Sequence, residues 1–126
     1  MLRKLFYFFR WPIVVFVINI FLSLFGVYDL YSWIDIPMHF LGGFVIAHSF
    51  GLIYFYLEKK NLIKIKSKLI MLFLILSVVA FVAVLWEFWE FLMDYFFVFN
   101  SQMSLKDTIF DLFMGLVGGF FCWLNL

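Results

Sequence analysis

Apolar stretches of membrane-crossing length alternate with short polar interruptions along this chain. Residues 1–10 mix Arg3, Lys4 and Arg10 with aromatics, and Trp11-Pro12 then opens an apolar run over residues 11–28, with Pro12 suited to a first helical turn. A short connection carrying Asp29, Ser32, Trp33 and Asp35 leads to a second apolar run over residues 37–57. Residues 58–68 hold five lysines and one glutamate and read as a loop in water. A third run occupies residues 69–94, about 38 Å of helix at 1.5 Å per residue, enough to cross a hydrocarbon core and protrude. The polar residues 100–104 interrupt the pattern before a fourth run over residues 105–126, where Ser104-x-x-Asp107 has the form of a capping box. The pattern therefore predicts an all-α integral membrane protein, one domain of four transmembrane helices. The connections are short enough to make consecutive helices antiparallel neighbours.

Composition agrees with that reading and removes alternatives. The chain is 67% hydrophobic and 13% charged, against about 45–50% and 25% in soluble domains, so no soluble domain is expected. One cysteine, Cys122, excludes an internal disulfide and a CxxC metal motif. The basic opening followed by an apolar run resembles a signal peptide, but no A-x-A-like cleavage site follows, which points to an uncleaved first helix. The lysines gather in one loop instead of interleaving with aromatics, so no nucleic-acid partner is expected; the partners implied are membrane lipids and, given the aromatic surface, a second copy or another membrane protein.

Charge placement supplies the orientation. With four crossings, Arg3, Lys4, Arg10, Lys59, Lys60, Lys64, Lys66 and Lys68 share one side and Lys106 alone takes the other. The basic side is cytoplasmic by the positive-inside rule, which places both termini inside and the protein, as a multi-pass chain, in the cytoplasmic (inner) membrane. Trp11, Trp33, Trp86, Trp89 and Trp123 all fall near expected helix ends, as an aromatic belt requires.

The acids carry the chemistry. Asp29, Asp35, Glu87, Glu90, Asp94, Asp107 and Asp111 all fall on the outer side and only Glu58 on the inner, an asymmetry that the positive-inside rule does not demand. Glu87, Glu90 and Asp94 share one face of the third helix, Asp35 and His39 one face of the second, and Asp107 and Asp111 one face of the fourth. Each polar stripe runs on into small residues: Gly42 and Ser49, Ala83 and Ala80, Gly115 and Gly118. Small residues are where membrane helices approach closely, so the three stripes are expected to face one another. Asp35 and Asp107 also suit N-caps, and Glu90 and Asp94 suit an acidic helix end at the headgroups. Asp111 lies about 22 Å along its helix from the cytoplasmic end, deep enough to require a partner. His48 falls on the opposite face from His39 and reads as packing.

So many carboxylates in one low-dielectric site require shared protons or a bound cation. One histidine among carboxylates suits a divalent ion such as Mn, Fe, Zn or Mg, which would activate water or polarise a phosphoryl oxygen of a lipid-linked substrate. The HExxH, E-x-x-H and G-x-S-x-G signatures are missing from the sequence.

Three motifs in order, Asp35-x-x-x-His39-Phe40-x-x-Gly43-Phe44, Trp86-Glu87-x-x-Glu90 and Asp107-Thr108-x-x-Asp111 followed by glycines, resemble the YjdF-type bacterial inner-membrane proteins and, more loosely, the VanZ-like family. The YjdF-type proteins are longer and usually carry tryptophan and glutamine where this chain has Lys106 and Ile109. The resemblance implies the membrane fold and selects Asp35, His39, Glu87, Glu90, Asp107 and Asp111, while the VanZ-like side implies a role at the cell envelope. Three functions follow from these readings: a cation-dependent site acting on or sensing an envelope component, a proton or cation relay, or a partner-binding membrane subunit.

Overall fold

The computed structural model describes residues 2–97 and 104–126, and among these there is helix and no strand. Helix α1 spans Leu2–Leu24, a short α2 spans Val27–Leu30, and a 3₁₀ turn at Ser32–Ile34 runs directly into α3, Asp35–Lys59. Helix α4 spans Lys68–Phe97 and α5 spans Leu105–Leu124. Four of these helices, α1, α3, α4 and α5, are long and apolar enough to cross a membrane. Of the polar break expected at residues 100–104, only Ser104 falls among the described residues, as does none of the connection before it.

The element bounds depart from the sequence pattern chiefly at the first helix. It begins at Leu2, well before residue 11, so Pro12 lies in its interior, and it ends at Leu24 instead of continuing to residue 28. Gly26 is the reason for the stop: it adopts φ +64°, a left-handed conformation open to glycine, and turns the chain into α2. Tyr28 is thereby swung back into the protein, where its hydroxyl donates to Oδ1 of Asn19. At the start of α5 the serine signal acts as expected. Ser104 caps α5 by accepting from the Asp107 backbone N–H at 3.2 Å, so Asp107 is the third residue of the helix and not its cap. Asp35 is not a cap either; it stands in the first turn of a helix that the 3₁₀ turn has already started.

Helix α3 is the centre of the bundle and packs most extensively on α5. Glycines set that contact. A Cβ at Gly43 would collide with the Gly115 carbonyl, and one at Gly118 with the carbonyl of Phe40, so the two backbones touch. Gly119 receives Val79 of α4, whose side chain would lie 2.9 Å from an added Cβ. Ala47, Ile75, Val79 and Cys122 form the buried apolar core, one residue or more from each of α3, α4 and α5. The buried face of α3 accordingly runs Asp35, His39, Gly43, Ala47, about 100° of helix rotation from the expected line through Gly42.

Two contacts fix which helix ends lie together. Lys4 donates to the Tyr56 hydroxyl at 3.1 Å, and Leu126 packs over Gly51. The Leu2 end of α1, the Lys59 end of α3 and the Leu124 end of α5 therefore share one end of the bundle with the lysine loop. That loop is held by Tyr54, whose hydroxyl donates to Glu58 at 2.9 Å and accepts from the Ile65 N–H at 3.2 Å. The opposite end collects Asn19, Asp35, His39, Glu87, Glu90, Asp107 and Asp111.

Candidate functional site: a buried cluster of acids around one histidine

Three helices deliver acids to this end, and the close α3–α5 approach brings them into one group. Asp35, His39, Glu87, Glu90 and Asp111 are all buried, with Asp111 at 3% and Glu90 at 4% exposure. The alternative of an exposed acidic helix end therefore does not hold for Glu90. The His39 ring is central: Nε2 lies 3.4 Å from Asp35 Oδ1 and 3.9 Å from Glu90 Oε2, and Nδ1 lies 3.9 Å from Glu87 Oε1. These separations exceed ordinary N–H···O hydrogen-bond lengths of about 2.7–3.2 Å. Nε2 of His39 and Oδ1 of Asp111 are fully buried and have no hydrogen-bond partner.

Three overlapping sets of side chains bring one potential ligand atom each to within 4.8 Å of the others: Asp35, His39 and Glu90; His39, Glu87 and Asp111; and Asp35, Asp107 and Asp111. Donors bound to one ion at about 2.0–2.4 Å cannot lie much farther apart than twice that distance, so these spacings suit a shared cation. Asp107 is half-buried at the rim. Asp94, a turn beyond Glu90, is also half-buried and belongs to none of the three sets. Lys106 points to the exterior, so the one lysine on this stretch of α5 does not neutralise the cluster.

Surrounding residues orient the cluster. Trp86 Nε1 donates to Glu90 Oε1 at 2.8 Å, which leaves Oε2 of the same carboxylate turned towards His39. The Trp86 ring also meets the His39 ring edge-on, with centroids 6.0 Å apart, and Phe16 of α1 packs edge-on against both Trp86 and Trp89. Trp86 and Trp89 are thus part of the wall of the site. Asn19 and Tyr28 form the fourth side, at 1% and 7% exposure. Burial first, and then the negative fields of Asp35, Glu90 and Asp111, push the Tyr28 hydroxyl well above the ordinary tyrosine range. Neither residue belongs to the acidic motifs. The available signal was Asn19 itself, an amide in the middle of an apolar run, which a membrane helix rarely carries without a partner.

A model of a family described as a predicted membrane protein family matches residues 2–126. The chain belongs to the DUF2238 family. This is the family of the YjdF-type proteins, so that side of the motif resemblance stands. No curated protein and no solved structure matches the chain. Among the residues of this DUF2238 protein, Asp35, His39, Glu87, Glu90 and Asp111 converge at one point, with Asp107 beside them. The arrangement can bind a cation, hold protons in common, or do both in turn. The core towards the lysine loop is different in kind: Ala47, Ile75, Val79 and Cys122 are apolar, and the next buried polar group on α3 is Ser49, about 15 Å from His39 along the helix.

Proposed function

We propose that this protein is a cation-dependent membrane protein of the bacterial inner membrane, with Asp35, His39 and Glu90 as the principal ligands and Glu87, Asp107 and Asp111 beside them. The observation that carries the reading is His39 Nε2, a buried ring nitrogen with no hydrogen-bond partner, turned towards two carboxylates at 3.4 and 3.9 Å. A divalent ion would satisfy that nitrogen and the carboxylates together, where burial alone would leave several negative charges against one imidazole. The bias of lysine and arginine towards the other end supports an extracytoplasmic site, with both termini cytoplasmic. The looser resemblance of the motifs to the VanZ-like family supports an envelope component as the thing acted on or sensed. A bound cation would polarise a phosphoryl or carbonyl oxygen or activate water. The relay reading has less support, because the apolar core between His39 and the lysine end offers no chain of polar groups.

Metal analysis of the purified protein, followed by Mn²⁺ titration after chelation, tests this reading. About one ion per chain is expected, with affinity unchanged by Asp94→Asn and lowered by His39→Ala or Glu90→Gln by at least the roughly 10- to 100-fold that losing a group behind a ligand costs. No ion above background in the parent protein, or equal affinity in all variants, refutes it.

A further inference from the structure

The cluster is not sealed on its apolar side. A cavity of about 500 Å³ opens between α1, α3 and α4, and His39 and Trp86 belong to both its lining and the acidic site. Pro12, Ile13 and Phe16 form its α1 wall and Val79, Ala83 and Trp86 its α4 wall, with Gly42 and Gly43 of α3 between them. Its length is informative. From Val79 to Trp89 on α4 it spans ten residue rises, about 15 Å of helix, and it starts at the acids and runs towards the middle of the span. Half of a typical hydrocarbon core of about 30 Å is the same length. The cavity is therefore about as long as one leaflet is deep.

Gly42 is an independent indication. At Gly43, Gly118 and Gly119 a neighbouring atom occupies the place a Cβ would take, so helix packing explains the glycine. At Gly42 nothing lies within 4 Å of that place, and the residue lines the cavity. Helix contact therefore does not account for the absence of a side chain here; an open cavity does.

We propose that the cavity holds the hydrocarbon chain of a membrane amphiphile whose terminal phosphate reaches the cation site. The proposal rests on the cation reading above, and the charges explain the link. A cluster of carboxylates repels a phosphate unless a cation stands between them, so phosphate recognition here requires the ion. The apolar lining excludes a water-soluble substrate of similar size and leaves the lipid phase as the source. A glycerophospholipid of the phosphatidic acid type and a polyisoprenyl phosphate share this chemistry, and competition separates them.

The test uses the full chain in phosphatidylcholine vesicles containing phosphatidic acid with a diazirine halfway along one chain. Adducts formed on illumination are mapped by mass spectrometry, with Mn²⁺ present or chelated. The expected result is Mn²⁺-dependent labelling on the cavity faces of α1, α3 and α4, displaced by unlabelled phosphatidic acid or by a polyisoprenyl phosphate, whichever is the natural class. Gly42→Phe should reduce it about tenfold, the scale on which apolar pockets discriminate added groups, while keeping the parent's Mn²⁺ affinity. Ile13→Trp plugs the same space from the α1 wall, at a position 45% exposed, and serves if Gly42→Phe does not fold. Labelling that is spread evenly over lipid-facing residues, or that is indifferent to both plugs or to Mn²⁺, overturns the lipid inference while leaving a measured Mn²⁺ affinity intact. A parent protein that binds no Mn²⁺ overturns both.

Discussion

Gly42 and Gly43 are adjacent in α3, yet the structure assigns them opposite responses to the same substitution. Gly42→Ala adds a methyl group to open space, since nothing lies within 4 Å of its Cβ position. Replacing a helical glycine where there is room stabilises by about 0.4–1 kcal/mol through backbone entropy. Gly43→Ala gains the same backbone term but sets its Cβ against the Gly115 carbonyl carbon at 2.6 Å, where real Cβ atoms essentially never sit. The obstacle is helix backbone and cannot rotate aside, so α3 and α5 must separate. Overpacking of this kind costs typically about 1–3 kcal/mol; the backbone term is common to both variants, so the gap between them is expected at about 1–3 kcal/mol, with a net loss at Gly43 of up to about 2 kcal/mol.

The separation also has a functional consequence. His39 and Asp111 lie one turn from this contact on α3 and α5, and the His39 carbonyl is already 3.7 Å from the Cβ position of Gly115. Driving the helices apart therefore pulls Asp111 from His39 and should weaken Mn²⁺ binding about 10- to 100-fold, as displacement of supporting groups at metal sites does. Reversible unfolding in mixed micelles, followed by tryptophan fluorescence, gives the stabilities, and Mn²⁺ titration gives the affinities. Equal stability of the two single variants would refute the packing argument. A destabilised Gly43→Ala with parental Mn²⁺ affinity would refute the coupling between the helix contact and the cluster.

Three further outcomes are expected. Tyr28→Phe and Asn19→Leu should each destabilise by about 1–2 kcal/mol by leaving the other buried partner unsatisfied, and the double variant should lose less than the sum, because both polar groups then go together; unfolding of all four proteins measures the cycle. Tyr28 should ionise above the other tyrosines in an ultraviolet titration. Because the folded-state value is raised, stability is retained below the ordinary tyrosine range and falls as pH rises through it, and Mn²⁺ should bring the ionisation back down by cancelling the fields of Asp35, Glu90 and Asp111. For orientation, a membrane-impermeant maleimide applied to intact spheroplasts should label Lys106→Cys and not Lys64→Cys, with Cys122 buried and silent; the reverse pattern would invert the topology.

The architecture was legible because membrane helices leave a coarse record: apolar length, short polar breaks and a lysine loop decide the spans without knowledge of any contact. The cluster was legible for a related reason. Acids are costly in a membrane, so Asp111 and the Glu87–Glu90 pair had to face inwards and meet something, and the small residues after them indicated where helices would close. The end of the first helix was not legible because it depends on one residue's backbone conformation: Gly26 is an ordinary glycine in the sequence and becomes the break only at φ +64°.

What periodicity could not give is the distinction between two kinds of small residue. A stripe through Gly42 and a stripe through Gly43 differ by 100° of helix rotation, and hydrophobicity around them is too uniform to choose. The structure separates them by what lies opposite: backbone at Gly43 and unfilled volume at Gly42. The first distance brings Asp111 to His39, and the second leaves His39 accessible from the bilayer. A single pair of glycines therefore sets both halves of the proposed site, the ligand spacing on one side and the route to it on the other. The same reasoning explains why the acids alone revealed so little of the chemistry: they mark where charge is held, whereas the shape of the space beside them determines which molecule can bring its own charge there.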